Sequence, residues 1–107
     1  MVFYTVSDAA EFKDDNFEVD RNTLVFIVFY RHQNKHILND VKTLSEDPAL
    51  SDCKFHASDA DESDELADEY HIKRFPTCVL LKGGEVVAKV PTPRDQAVIR
   101  EYIQKNL

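Results

Sequence analysis

The chain has 107 residues, with 20 acidic side chains against 13 basic ones, a formal net charge of −7 and an apolar fraction of 43%. This length supports one hydrophobic core and predicts a single domain, residues 1–107, that folds without disulfide staples. The negative charge disfavours nucleic acid and anionic membranes as partners, and without an apolar run of roughly 20 residues or a signal peptide the expected location is the cytoplasm.

The chain is expected to begin with a strand, followed by a helix that Ser7 can cap. That helix would cover DAAEFKDDNF, residues 8–17, with Phe12 pointing inward. The next segment, NTLVFIVFY at residues 22–30, is apolar at consecutive positions. Such a strand needs cover on both faces, which is typical of a central strand between two layers of helices.

Three further elements follow the central strand. Residues 33–46 repeat apolar side chains at helical spacing, which predicts an amphipathic helix that ends at Pro48. The segment CKFHA, residues 53–57, is typical of a short strand. DESDELADEYHI, residues 61–72, predicts a helix whose early carboxylates suit a helix N-terminus.

A hairpin and a helix complete the predicted order. Gly83 and Gly84 stand between two apolar runs, TCVLL and EVVAKV, which indicates a tight turn joining antiparallel strands. In the last helix we expect Thr92 to cap, Pro93 to take the first position and Asp95 to support the start. Its predicted buried stripe consists of Val98, Ile99, Tyr102 and Ile103.

These elements predict a mixed sheet between helices, because the first strands must run parallel through crossovers while the hairpin adds antiparallel strands. The central strand LVFIVFY, the run ADEYHIKRFPTCVLLKGGEVVAKV and the closing VIREYIQKNL resemble the thioredoxin family in order and spacing. The resemblance covers nearly the whole chain. It implies an α/β fold, the thioredoxin-like three-layer α/β/α sandwich with a central mixed sheet.

The segment IKRFPT, residues 72–77, is similar to the proline loop of that family. The resemblance implies a cis peptide bond before Pro76 and a platform on which an extended peptide or protein segment pairs by strand addition. The residues expected to bind a partner there are Arg74, Phe75, Pro76 and Thr77.

The sequence lacks the catalytic loop of that family. Working thioredoxins follow the central strand with Trp-Cys-Gly-Pro-Cys, whose two thiols carry out disulfide exchange. The corresponding loop here is YRHQN, which comprises Tyr30, Arg31, His32, Gln33 and Asn34. Val28 stands where the family usually has a buried carboxylate, and a buried charge is costly where it has no use. Disulfide reductase activity of the thioredoxin type is therefore expected to be absent.

Other chemistries remain open on the sequence. Cys53 or Cys78 could act as a single reactive thiol, although both are typical of buried small hydrophobic residues. His32 and His36 are four residues apart, yet two ligands do not make a zinc site, so no metal or cofactor is expected. With Arg31 and Lys35 these histidines form a basic cluster that could attract an acidic group or could simply be a solvated loop.

Two hypotheses follow. The preferred one is a redox-inactive thioredoxin-fold module that binds a protein or an extended peptide through the YRHQN and proline loops. The alternative is an atypical thiol oxidoreductase that reduces disulfides or peroxides through Cys53 or Cys78 alone. The sequence does not specify an oligomeric state.

Overall fold

Five strands and three α-helices make up the part of the chain that the structure describes. The structure is a computed structural model that describes residues 3–5, 23–62 and 64–107, and the helix predicted after Ser7 lies outside these ranges. The strands are β1 (Phe3–Thr5), β2 (Leu24–Tyr30), β3 (Cys53–Asp59), β4 (Thr77–Lys82) and β5 (Glu85–Pro91). The helices are α1 (Ile37–Ser45), α2 (Glu65–Glu69) and α3 (Gln96–Asn106).

The strands form one mixed sheet in the order β1-β3-β2-β4-β5. Strand β2 runs parallel to β3 and antiparallel to β4, while β5 pairs antiparallel with β4 at the edge. A parallel pair needs a crossover connection, and the segment that contains α1 supplies it between β2 and β3. The predicted mixed sheet is confirmed.

All seven residues of β2 are buried. Its even-numbered side chains, such as Phe26 and Val28, pack in one cluster with apolar residues of α1 and α3. The odd-numbered side chains, such as Ile27 and Phe29, pack in a second cluster with residues of α2. The central strand therefore lies between two helical layers, and the predicted α/β/α sandwich is confirmed.

Two helices are shorter than predicted. Helix α1 begins at Ile37, not at residue 33, because residues His32–Asn34 form a separate 3₁₀ turn. Helix α2 has only five residues, although the prediction covered residues 61–72. The Asp59 carboxylate accepts the amide of Asp61 at 2.9 Å, which produces a side-chain turn in place of a first helical turn. At the other end, His71 adopts a left-handed conformation with φ of 57°.

The predicted start of the last helix is wrong by three residues. Asp95 is the N-cap of α3, and its Oδ1 accepts the amide of Val98 at 3.1 Å. Thr92 instead has a left-handed φ of 41° and donates its amide to the carbonyl of Pro76 at 2.7 Å. Thr92 therefore forms a hydrogen bond to the proline loop and does not cap the helix as predicted.

The predicted buried stripe of α3 is correct at Ile99 and Ile103, which are buried. Val98 packs partly against the same cluster. Tyr102 is 39% exposed, so its assignment to the core is wrong. None of the helices in the described ranges has the length and apolar character needed to cross a bilayer.

The predicted hairpin between β4 and β5 is confirmed, and both of its turn residues are left-handed. Gly83 has φ of 62° and Gly84 has φ of 82°. A residue with a Cβ atom pays a steric cost in this region, whereas Asn tolerates it better than most residues. The two glycines are thus explained by the turn itself.

We expect Gly84→Ala to lower the free energy of unfolding by about 1–2 kcal/mol, because alanine is disfavoured at a left-handed φ. Gly83→Asn is the matched control and should stay within about 0.5 kcal/mol of the parent, since asparagine accepts this conformation. Urea unfolding of both variants measures the difference. Equal stability of the two variants would contradict the assigned turn geometry.

Candidate functional site

The loop that follows β2 is held by Asn34. The side-chain Oδ1 of Asn34 accepts the amide of Arg31 at 2.7 Å, and the amide of Asn34 donates to the carbonyl of Arg31 at 3.0 Å. This reciprocal pair closes the 3₁₀ turn, and Asn34 is buried. Arg31, His32 and Gln33 are consequently presented on the surface.

Asp61 connects this loop to the segment after β3. One of its carboxylate oxygens accepts the amide of His32 at 2.7 Å, and the other lies 3.4 Å from the Arg31 guanidinium. Strands β2 and β3 are parallel, so their carboxyl ends meet at the same edge of the sheet, and Asp61 follows β3 there. Asp61 therefore fixes the loop and balances the charge of Arg31.

Arg31 also connects the loop to the proline loop. Its guanidinium carbon lies 4.6 Å from the centre of the Phe75 ring, within the range of a cation–π interaction. Such a contact contributes about 0.5–1 kcal/mol at an exposed site. The two segments that the sequence proposed for partner binding therefore lie against each other.

The proline loop is anchored on both sides of Pro76. The peptide bond between Phe75 and Pro76 is cis, as the family resemblance implied. Thr77 donates its hydroxyl to the carbonyl of Arg74 at 2.7 Å, and the amide of Thr92 donates to the carbonyl of Pro76 at 2.7 Å. The loop is thus held by a side chain of its own strand and by the segment after β5.

The predicted site residues divide into surface and buried groups. The exposed ones are Arg31, His32, Gln33 and Arg74, and the half-buried ones are Phe75 and Pro76. Tyr30, Asn34 and Thr77 are buried. Burial raises the pKa of Tyr30, and the nearby Asp59 and Glu62 raise it further. These three residues support the loops and do not form their outer surface.

Sequence reasoning missed Asp61, which it placed at the start of the helix predicted over residues 61–72. The signal that could have found it is topological. A carboxylate directly after β3 must come close to the residues directly after β2 once the two strands are known to be parallel.

The predicted basic cluster is partly neutralised, because Arg31 is paired with Asp61. Within the described ranges, no group of three or more histidine, cysteine, aspartate or glutamate residues is placed to hold a metal ion. His32 and His36 therefore have no third ligand among those residues.

Both cysteines lie inside the sheet. Cys53 and Cys78 are fully buried and unpaired, on β3 and β4, which β2 separates. Their strand positions are about 10 Å apart across the sheet and about 13 Å apart along it, too far for a disulfide. Burial raises the pKa of Cys53 to about 12 and raises that of Cys78 further.

The family model for thioredoxin matches residues 6–105 of the chain. Among solved structures, thioredoxin from Malassezia sympodialis is 25% identical with a TM-score of 0.82, over 99% of this chain and 90% of that one. A mutant thioredoxin from Halobacterium salinarum is 26% identical with a TM-score of 0.82, over 97% and 89% of the two chains. Thioredoxin from Plasmodium falciparum is 25% identical with a TM-score of 0.81, over 95% and 97%. A search of curated proteins found no significant match.

Asp61→Ala should lower the free energy of unfolding by about 1–2 kcal/mol, because the amide of His32 loses its acceptor. Glu62→Ala removes the neighbouring exposed carboxylate and should change stability by less than about 0.5 kcal/mol. Denaturant unfolding compares the two variants directly. Equal losses of stability would mean that the negative charge of this segment, and not the hydrogen bond to His32, determines the effect.

We expect the native thiols to resist labelling by a disulfide reagent such as dithiobis(nitrobenzoate). A pKa of about 12 in place of the ordinary 9.0 lowers the thiolate fraction of Cys53 near neutral pH about a thousandfold. The native rate should therefore be at least about a thousandfold below that of the denatured chain, and should increase as the pH rises. A native thiol that reacts within about tenfold of the denatured rate would contradict this expectation.

Proposed function

This chain belongs to the thioredoxin family, and on that premise we propose that it is a redox-inactive module that binds a protein or an extended peptide. One observation carries the proposal. On the surface formed by the YRHQN loop and the proline loop, the exposed Arg31 contacts the half-buried Phe75, while both cysteines of the chain are buried in the sheet.

The absence of thiol chemistry is supported at each step that disulfide exchange requires. The attacking group must be an accessible thiolate, and a second thiol must resolve the mixed disulfide. The YRHQN loop offers neither. No residue of β2 is a carboxylate that could take up a proton inside the sheet, since the strand reads LVFIVFY.

The binding role is supported by the chemistry of the surface around Phe75. The ring is half-buried beneath the Arg31 guanidinium, so the two side chains present both an apolar and a charged face. The carbonyl of Pro76 accepts a backbone hydrogen bond, whereas neither the amide nor the carbonyl of Phe75 forms a backbone hydrogen bond with a residue that the structure describes. A peptide that lies along the loop can therefore pair with the main chain of Phe75.

The alternative, a thiol oxidoreductase that works through one cysteine, gains no support from the site. Burial blocks access to Cys53 and Cys78 and raises both pKa values. Neither cysteine lies in the YRHQN loop or the proline loop.

A peptide-binding measurement tests the proposal. Fluorescein-labelled unstructured peptides of acidic, neutral and basic composition would be titrated with the protein and followed by fluorescence anisotropy. For each peptide that binds the parent protein, Phe75→Ala should weaken binding by roughly 10–30-fold, the loss typical of an aromatic anchor. A variant in which Cys53 and Cys78 are both alanine should bind as the parent does.

Tyr102→Ala is the matched control, since it removes an exposed aromatic ring from α3. Near-UV circular dichroism would confirm that both variants keep their tertiary packing. If both aromatic variants lose binding equally, or if no peptide binds at all, the proposed function is contradicted.

A further inference from the structure

An open cavity of about 210 Å³ lies between the turn at residues 71–74 and strand β5. Its apolar lining includes Ile72 and Pro91, and its basic lining includes Lys73, Arg74 and Lys89. Thr77 also lines the cavity, which is therefore continuous with the proline loop. Arg74 and Thr77 belong to the proposed binding loop, whereas Lys89 and Pro91 of β5 have no part in the binding role proposed above.

The cavity lies beside the part of the sheet that α2 covers. The buried residues of α2, Leu66 and Ala67, cover β2 and β4. The face of β5 beyond β4 stays open. Lys89 lies on this face, opposite Val79 in the strand register, and its ammonium donates to the carbonyl of Tyr70 at 2.8 Å. This bond spans the cavity wall and ties β5 to the turn after α2.

The charge of the lining is the opposite of the charge of the chain. The protein carries a net charge of −7, yet three cationic side chains converge on this one cavity. Lys73 and Arg74 are exposed, and neither side chain forms an ion pair or hydrogen bond with any residue that the structure describes. Arg31, by contrast, is paired with Asp61. The uncompensated positive charge next to Phe75 is therefore found in this cavity.

We propose that the cavity receives the carboxylate side chain of an acidic peptide that lies extended along the proline loop. This inference rests on the proposed binding function and specifies the class of partner. A guanidinium and an ammonium on the rim match a carboxylate, with Arg74 able to form a two-pronged contact. The apolar lining accommodates the methylene groups of a glutamate.

The volume fits this occupant. The cavity measures about 210 Å³ and is open to solvent, which gives room for a single side chain. A bulkier partner would have to place only a side chain in the cavity and keep its main chain on the proline loop.

The test uses a neutral extended peptide in which a single glutamate is moved along the sequence, each version paired with a glutamine twin. At one position the glutamate peptide should bind about tenfold more tightly than its twin at low salt. High salt should reduce this ratio to about threefold or less, because the rim is exposed and its charges are screened. Anisotropy titrations give the ratio directly.

The double variant Lys73→Gln/Arg74→Gln should reduce the glutamate-to-glutamine ratio to about 1. Lys105→Gln, on the exposed end of α3, removes a cation outside the cavity and should leave the ratio unchanged. A ratio that falls equally in the Lys105 variant would show that net charge alone is responsible, and would overturn the proposal.

Failure of this inference is distinguishable from failure of the proposed function. If glutamate and glutamine peptides bind equally at every position, and Phe75→Ala weakens both, the binding function stands and the acidic preference is overturned. If no peptide binds, the binding function fails and the inference fails with it.

Discussion

The complete burial of β2 is the constraint on which the other features depend. The strand has helices on both faces and a paired strand on each side, so every one of its seven residues is apolar or aromatic. An ionised carboxylate in this strand would cost several kcal/mol and is tolerated only where it is used. The same pairing brings the ends of β2 and β3 and the start of β4 to one edge. There Arg31 contacts both Asp61 and Phe75.

The parts of the fold that the sequence predicts well are those that local pattern determines. The unbroken apolar run of β2 and the glycine pair of the hairpin each define their element without reference to the rest of the chain. The start of α3 depends on a distant contact, since Thr92 is held by Pro76 and Asp95 takes the cap. The length of α2 likewise depends on which backbone amides the Asp59 carboxylate accepts, and composition does not reveal this.

The site was predictable as two loops but not as one surface. Family resemblance identified the YRHQN and proline loops, and spacing alone could not show that Arg31 lies over Phe75. Side-chain direction also escaped the sequence, because Asn34 and Thr77 turn inward to hold backbone groups. The cavity beside β5 lies along a strand whose residues are mostly exposed. No sequence motif marks this cavity, which becomes visible only when β5 and the turn after α2 are brought together.

Reduction of insulin disulfides by dithiothreitol tests most directly whether the chain has lost thiol chemistry. The protein, the Cys53→Ala/Cys78→Ala variant and buffer alone would be compared under the same conditions. Burial of both thiols and the absence of cysteine from the YRHQN loop predict a rate no higher than that of buffer for both proteins. A rate clearly above buffer that disappears in the double variant would show that a single thiol performs the reaction, and would contradict the proposal that the chain is redox-inactive.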